Sequence, residues 1–379
     1  MKTHHSFNFR QRKFGNDISN KENLPNIQEK RENRFFNLNN NKNNSPVLKK
    51  IITKNNKIKN NSSINLKKSF INDNLIINEN NKDNPQYVNE YSSEIIKFII
   101  ENESLNIFNY SKENIYQYQN EKYINEEKRK KIIQILIYYN FKWKLNPDNV
   151  YLTVNIMDRY TSKIKIKKDE YELIALASYL IGSKYEDIYS PNAKTLSYIF
   201  SFKYNPDEIL QKEKDILNTL NYSLLYQSSF KFLHFLYYCS GINDIKVYYL
   251  SQLFLDLSLT DLNVMKFSQR KRAAASFIFA KKIFGINSGN FKIIYLFSVN
   301  ENELKKIIKE LFFILKDIIF SNNQNLIADK FKSSHYGFIF SIFERKLKEK
   351  AEQKKKENIS KKIVEEKRIY NELKKNNSK

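Results

Sequence analysis

The chain has 379 residues and a formal net charge of +24. Its hydrophobic content of 41% is enough for a core, whereas 6 Gly and 6 Pro are too few for the turns of a sandwich or barrel and favour long helices. The single cysteine, Cys239, excludes an internal disulfide or a zinc ribbon and indicates a reducing compartment. No stretch approaches the roughly 18 apolar residues of a membrane span, so we expect a soluble protein of the nucleus and cytoplasm.

The positive charge belongs mostly to the two ends of the chain. Residues 1–86 carry about +10 and residues 345–379 about +8. Residues 1–86 are also roughly one quarter Asn, which predicts a disordered N-terminal regulatory tail. The composition of residues 345–379 predicts a basic Lys/Glu-rich tail. A basic tail is more often solvated than bound to nucleic acid, so we expect neither a nucleic-acid nor a membrane partner.

Between the tails, a helical apolar pattern extends from Ile95 to about Phe343 and contains an internal repeat. The segment YLTVNIMD at 151–158 returns as YLSQLFLD at 249–256, and ALAS at 175–178 returns as AAAS at 273–276, both 98 residues later. This period is too long for a solenoid and predicts two similar domains of about five helices each.

The helices of the first half are predicted near 125–142, 147–163, 167–186, 194–203 and 206–220. The Ala-rich third helix of each half is expected at the centre, because small side chains let the other four helices pack closely around it.

The sequence offers no catalytic chemistry. It contains no glycine-rich phosphate loop, and Cys239 has no basic neighbour to activate its thiol. None of the histidines has a ligating partner at metal-binding spacing: His4, His5, His234 and His335. We therefore predict a binding protein, not an enzyme, with no cofactor and no metal.

Several segments resemble the mitotic A- and B-type cyclins in order and spacing. The first cyclin box is represented by NIMDRYTS (155–162), LASYLIGSKYEDIYSP (176–191) and LQKEKDILNTLNYSL (210–224). The second is represented by LSLTD (257–261), RAAASFIFA (272–280) and DKFKSSHYGFI (329–339). The resemblance implies an all-α fold with an N-terminal helix and a first box over 87–226, and a second box over 227–344.

The resemblance also implies a function, namely a regulatory subunit that binds and allosterically activates a cyclin-dependent kinase to control mitotic progression. Lys184 and Glu213, 29 residues apart, match the pair that grips the kinase's regulatory helix. Three further positions match apolar kinase contacts: Tyr91, Tyr222 and Leu224. Arg129 and Asp158 match a buried structural ion pair.

Three other interpretations remain open. One is a transcription-linked cyclin, and another is a DNA-bound transcription factor with cyclin-like folds, although such factors usually carry a zinc ribbon. A helical scaffold would leave the spacing of Lys184 and Glu213 unexplained. The sequence does not identify the kinase, its substrates or the choice between A-type and B-type.

Two regulatory regions complete the sequence predictions. The resemblance implies a degraded substrate-docking patch, because Lys128-Arg129-Lys130-Lys131-Ile132 matches the Met-Arg-Ala-Ile-Leu stretch of many mitotic cyclins, with Ile135 at the position of a Trp and Tyr138 at that of an acidic residue. Only the arginine and some apolar character, as at Ile132, remain. In the N-terminal tail, Lys21-Glu22-Asn23 is a KEN-type degron and Arg12 begins a segment resembling a destruction box. These motifs predict ubiquitin-ligase degron receptors as additional partners.

Overall fold

The computed structural model describes residues 91–105, 108–119, 124–167, 169–240, 242, 244–286, 293–294, 297–321, 324–349, 351–353 and 356–357. All of them belong to one compact unit. The predicted N-terminal tail, its degron residues and most of the predicted C-terminal tail lie outside these residues.

The described part of the first half is helical, as the sequence predicts. Two helices precede the repeat, α1 (Ser92–Leu105) and α2 (Lys112–Tyr116). The repeat itself contains α3 (Glu126–Lys142), α4 (Pro147–Thr161), α5 (Tyr171–Glu186), α6 (Ala193–Ser197) with a 3₁₀ turn at Tyr198–Phe200, and α7 (Pro206–Thr219). The five predicted helices are therefore present, with the fourth shorter than expected.

The third helix begins four residues later than predicted, at Tyr171 instead of residue 167. The preceding segment is held in a loop by Gln119, whose side-chain amide donates to the carbonyl of Ile164 and whose oxygen accepts from the backbone N–H of Ile166. This hydrogen bonding comes from a residue far away in sequence, so the local apolar pattern gives no sign of it.

The second half repeats the arrangement. Its helices are α8 (Ser229–Cys239), α9 (Ile245–Ser258), α10 (Leu262–Met265), α11 (Gln269–Ile283), α12 (Glu301–Phe320) and α13 (Leu326–Phe331), followed by a 3₁₀ turn at Ser334–Tyr336 and helical residues 339–349. The all-α fold of two tandem helical domains is confirmed for the described residues.

The Ala-rich helices α5 and α11 form the centres of the two halves. Helix α5 packs against α3, α4, α6 and α7, and α11 packs against α8, α9 and α12. At Gly182 the space for a side chain is absent, because a Cβ atom would lie 2.6 Å from Oγ1 of Thr153 on α4. The position 98 residues later is Ala280, which is fully buried. Small side chains thus allow close helix packing at equivalent points of both halves.

Side-chain caps fix where the helices bordering the candidate site begin. Helix α7 starts with a capping box between Asn205 and Glu208, and Pro206 occupies its first turn. Helix α8 is capped by Ser228, whose hydroxyl accepts from the backbone N–H of Lys231.

Candidate functional site

Lys184 and Glu213 form an ion pair between α5 and α7. Nζ of Lys184 is 2.7 Å from Oε1 and 2.8 Å from Oε2 of Glu213. Lys184 lies in the last turn of α5, where a cation interacts favourably with the helix dipole. The Glu213 side chain is only 11% exposed, whereas that of Lys184 is 49% exposed. The carboxylate thus holds a cation in a fixed position at the surface where α5 ends.

Large apolar side chains close to this pair in the chain are exposed. Tyr185 follows Lys184 directly, and Leu210 lies one helical turn before Glu213 on α7. We call the full set the apolar collar: Tyr185, Ile188, Tyr189, Leu210, Tyr222 and Leu225. Exposed aromatic and aliphatic residues that lie close in the chain to a positioned charge are typical of a protein–protein interface.

Tyr222 is exposed because the backbone turns sharply after α7. Asn221 and Tyr222 both have left-handed backbone conformations, with φ of 50° and 54°. This turn leaves Tyr222 65% exposed, and its hydroxyl donates to Oδ1 of Asn218 at 3.0 Å. Leu224 is instead half-buried against the core, and the exposed leucine is its neighbour Leu225.

Sequence reasoning identified only Tyr222 among the collar residues. The other five were missed, because apolar residues in or next to a helical pattern are expected to pack in the core: Tyr185, Ile188, Tyr189, Leu210 and Leu225. One signal could have identified part of the set: Ile188 and Tyr189 follow the charged residues that end α5, where a core-facing helix face no longer exists.

The end of α5 is held in place by ion pairing to the second half of the molecule. Oε1 of Glu186 accepts from Nζ of Lys231 on α8 at 2.9 Å. The next residue, Asp187, accepts from the backbone N–H of Asn146 at 2.8 Å. The residues that follow Lys184 are therefore fixed both by α8 and by the start of α4.

A buried carboxyl group lies at the same junction. Asp148, in the first turn of α4, is fully buried and accepts a hydrogen bond from the hydroxyl of Ser228. Burial raises the pKa of Asp148 to about 7, although the positive charge of Lys231 opposes the shift. The contact between the two helical halves therefore contains a group that titrates near neutral pH.

Arg129 joins three segments from the interior of the molecule. Its guanidinium donates to both carboxylate oxygens of Asp158, from Nε at 2.9 Å and from Nη2 at 2.7 Å. Nη1 donates to the backbone carbonyl of Leu259, in the second half, at 2.9 Å. The structure thus places Arg129 and Asp158 as the buried pair that the sequence predicts, and adds a contact between the two halves.

Asp256 accepts two buried hydrogen bonds that the sequence did not predict. The hydroxyl of Tyr151, in the first half, donates to Oδ1 at 2.8 Å, and Nζ of Lys330 on α13 donates to Oδ2 at 2.7 Å. All three side chains are nearly inaccessible to solvent. This acid therefore connects α4, α9 and α13 in the centre of the molecule.

Helix α1 is attached to the second half by an acid near its end. Glu103 accepts from the backbone N–H of Arg270 at 2.8 Å and lies 3.1 Å from Nε of the same arginine. Burial raises the pKa of Glu103, and the contacts with Arg270 oppose the shift. Tyr91, a predicted kinase contact, lies just before α1 and is exposed.

Family models match almost the whole of the repeat region. The model of the cyclin N-terminal domain matches residues 94–225, and that of the cyclin C-terminal domain matches residues 228–345. The chain belongs to the cyclin family. Each matched segment contains one of the two helical repeats, so the prediction of two tandem cyclin boxes is confirmed.

The curated relatives of this cyclin are of the mitotic type. It is 27% identical over 259 residues to a G2/mitotic-specific cyclin-B2 of Homo sapiens, which is 66% of this chain and 62% of the relative. It is 30% identical over 201 residues to G2/mitotic-specific cyclin-2 of Saccharomyces cerevisiae, covering 53% of this chain and 40% of the relative. The cyclin thus spans about half the length of the relatives it matches.

A solved cyclin structure shows the same fold. A viral cyclin from herpesvirus saimiri aligns with a TM-score of 0.51 at 18% identity, covering 59% of this chain and 97% of the viral chain. At this identity the likeness concerns the architecture of the two boxes.

The four residues of the predicted substrate-docking patch all lie on α3. Ile132 is buried and Ile135 is half-buried against the core. At the surface, Tyr138 contacts the ring of Tyr139 edge-on at 5.7 Å, and Nζ of Lys142 lies 5.3 Å from its centroid. The position where the family resemblance implies an acidic residue therefore carries a tyrosine beside a lysine.

Two other sequence predictions concern what the chain binds. Arg12, Lys21, Glu22 and Asn23, the predicted degron residues, lie outside the described residues, so that prediction rests on sequence alone. Within the described residues, no group of three or more His, Cys, Asp or Glu side chains is placed to hold a metal ion. No helix among those residues is long and apolar enough to cross a membrane.

Proposed function

We propose that this cyclin binds and allosterically activates a cyclin-dependent kinase, and thereby controls mitotic progression. The observation that carries the proposal is the positioned Lys184–Glu213 pair together with the exposed apolar collar. The mitotic-type relatives and the two matched cyclin domains support the same function.

In this proposal the Lys184–Glu213 pair and the apolar collar contact different parts of one kinase helix. Lys184 offers a cation to carbonyl or carboxylate oxygens at one end of a partner helix, with charge-assisted strength. Glu213 keeps that cation in place and offers its remaining acceptor capacity to donors of the same helix. The collar covers the apolar face of the helix, which supplies most of the contact area.

Activation follows from a difference in binding. An isolated kinase of this class has its regulatory helix displaced, so the Lys–Glu pair that positions the ATP phosphates is broken. A rigid cyclin surface binds the inward position of that helix better than the displaced one and shifts the population towards it. The cyclin provides the binding energy and itself transfers no phosphate.

Ion pairs and buried hydrogen bonds give the proposed kinase face the rigidity that this mechanism needs. The end of α5 is fixed by Glu186 and Lys231, and the two boxes share the buried contacts of Arg129 and Asp256. A surface anchored in this way loses little conformational entropy on binding, so more of the contact energy appears as a shift of the kinase equilibrium.

The test exchanges the two charges, Lys184→Glu with Glu213→Lys. The exchange preserves an ion pair between α5 and α7 but reverses its polarity, so the cyclin should keep its helical content by circular dichroism. The kinase that co-purifies with the tagged wild-type chain is identified by mass spectrometry, and its activation is then titrated with each variant. We expect the exchanged variant to lose at least about 100-fold in activation, because two charged contacts become repulsive.

A matched control comes from the same box. Lys203 and Glu172 form another partly exposed pair at 2.7 Å, with similar exposure to Lys184 and Glu213. Exchanging Lys203→Glu with Glu172→Lys should leave kinase activation unchanged. Full activation by the Lys184/Glu213 exchange, or equal loss in the control, would contradict the assignment of this face.

A further inference from the structure

Helix α12 of the second cyclin box presents an outward face that carries three lysines and two phenylalanines. Its inner face is buried through Leu304, Ile307, Leu311, Leu315 and Ile319. The outward residues follow the spacing of a single helix face, with steps of three and four. We call this set the Lys–Phe stripe: Lys306, Lys309, Phe313, Lys316 and Phe320.

The phenylalanines of the stripe are not part of the core. Phe313 is 50% exposed and Phe320 is 49% exposed, although α12 already has a complete buried face. They lie two helical turns apart, or about 10 Å along the axis. A surface recess lies between them, lined by Phe313, Lys316, Asp317, Phe320 and Ser321. Two aromatic side chains beside one recess offer two anchor sites to a ligand, whereas a single exposed residue offers one.

The cations of the stripe are available to a ligand. Lys306, Lys309 and Lys316 are exposed and form no ion pair with any residue that the structure describes, whereas the adjacent Lys305 pairs with Glu301 at 2.9 Å. Nζ of Lys309 lies 5.7 Å from the ring centroid of Phe313, so charge and aromatic surface are adjacent. The stripe therefore combines uncompensated positive charge with exposed apolar area.

We propose that the Lys–Phe stripe docks an acidic peptide segment of a partner protein, with apolar side chains spaced along one face of a helix. Leu, Ile or aromatic residues of that segment contact Phe313 and Phe320, and its carboxylates meet Lys306, Lys309 and Lys316. From residue 306 to 320 the stripe is about 21 Å long, which matches about four turns of a partner helix.

Charge complementarity separates this occupant from the alternatives. A second copy of the chain would set one stripe against the other, lysines against lysines, which is unfavourable. The chain's own residues 345–379 carry about +8 and would be repelled in the same way. An anionic membrane surface would meet the same lysines as an acidic peptide, so the vesicle measurement described below separates these two occupants.

The stripe and the proposed kinase face lie in different cyclin boxes. The stripe belongs to the segment matched by the C-terminal domain model, whereas Lys184 and Glu213 belong to the N-terminal one. A partner held there can accompany the kinase complex without competing for Lys184. The inference therefore goes beyond kinase activation and is tested independently of it.

The experiment selects ligands on the full-length chain. A displayed library of random 16-residue peptides is enriched on the wild type and, in parallel, on the double variant Phe313→Ser/Phe320→Ser. We expect peptides specific to the wild type to be net acidic and to carry apolar residues three or four positions apart. If the enriched peptides are basic or neutral, or if both proteins enrich the same ones, the proposal is overturned.

Fluorescence anisotropy with the best enriched peptide then measures the contribution of charge. The reversal Lys309→Glu/Lys316→Glu should weaken binding at least tenfold, and raising the salt concentration should weaken it for the wild type. The matched control is Lys246→Glu/Lys282→Glu, at exposed lysines of other helices, and should leave binding within twofold. An equal loss in both double variants overturns the proposal.

Two further measurements address the competing occupants. Vesicles containing phosphatidylserine should not bind the chain through the stripe, and sedimentation equilibrium should show no self-association that Phe313→Ser/Phe320→Ser removes. Either result in the opposite direction overturns the peptide assignment. Kinase activation should be retained by Phe313→Ser/Phe320→Ser, so a failure here is distinguishable from a failure of the kinase proposal.

Discussion

Asp158 and Asp256 occupy equivalent positions of the two cyclin boxes, and each buried carboxylate binds a buried cation. Asp158 is paired with Arg129 of its own box, whereas Asp256 is paired with Lys330, beyond the last long helix of the second box. Asp256 also accepts from the hydroxyl of Tyr151 in the first box, and Arg129, the partner of Asp158, donates to the carbonyl of Leu259 in the second box. Both halves of the repeat therefore have an aspartate at this position, but its cationic partner comes from a different helix in each half.

The first prediction concerns the Arg129–Asp158 pair. Arg129→Met should lower the free energy of unfolding by about 3–5 kcal/mol, because it leaves the charge of Asp158 buried without a partner. The double variant Arg129→Met/Asp158→Leu should recover much of this loss, since it removes the unpaired charge as well. Urea denaturation followed by circular dichroism measures both effects.

The control for this prediction lies on the same helix. Lys131 pairs with Glu127 at 2.6 Å, and both side chains are largely exposed. Lys131→Met should therefore change stability by less than about 0.5 kcal/mol. If Arg129→Met and Lys131→Met have equal effects, the buried pair is not important for stability.

The Arg129–Asp158 contact shows how much of the site can be predicted from sequence. Its two residues lie 29 positions apart within one recognisable box, so the resemblance was sufficient to pair them. The contacts of Asp256 join residues 105 and 74 positions apart, and the repeat marks the acid but not its partners. Hydrogen bonds that depend on how the boxes pack have no local periodicity from which to predict them.

The same limit applies to the proposed kinase face. The sequence placed Lys184 and Glu213 on neighbouring helices, and the helix order brings them together. It did not predict that Leu225 rather than Leu224 would be exposed, because the left-handed turn at Asn221 and Tyr222 sets which side chains face the core. Exposure after a tight turn depends on backbone torsions, which the apolar pattern does not report.

The second prediction concerns protein lifetime and rests on the sequence alone. Replacing Lys21, Glu22 and Asn23 with alanine should lengthen the half-life at mitotic exit severalfold, and adding Arg12→Ala should lengthen it further. Both motifs are short linear segments of the kind that degron receptors recognise as extended peptides. A cycloheximide chase in synchronised cells measures the effect.

The matched control is a triple alanine replacement elsewhere in the same region, at Asn39, Asn40 and Asn41. It should leave the half-life unchanged, and neither triple variant should alter kinase binding. If deletion of residues 1–30 leaves the half-life unaltered, the degron prediction is wrong.

The third prediction concerns substrate docking. A peptide containing an Arg-x-Leu motif should bind with a dissociation constant above about 100 μM, which is a weak affinity. The reason is that the docking patch carries basic and aromatic residues where an acidic residue should receive the peptide's arginine. The triple variant Lys128→Met/Ile135→Trp/Tyr138→Glu should increase the affinity at least tenfold in a calorimetric titration. Tight binding to the wild type would show that other residues form the docking groove.

The last prediction concerns the pH dependence of stability at the junction of the boxes. Because the pKa of Asp148 is about 7 in the folded state and about 4 when unfolded, the folded protein retains a proton that the unfolded chain releases. The contribution of Asp148 to the free energy of unfolding is therefore fully present below about pH 4 and is lost as the pH rises through about 7.

His234 has the opposite effect over part of this range. Burial lowers its pKa to about 4, so its contribution is present above its ordinary pKa and is lost as the pH falls. The informative quantity is therefore the difference between the wild type and Asp148→Asn, since both proteins contain His234. Relative to Asp148→Asn, the wild type should lose about 1.4 kcal/mol per pH unit between about pH 4 and pH 7, and no more above that range. Urea denaturation at intervals of half a pH unit measures this difference, and parallel stability curves would show that Asp148 is ionised throughout.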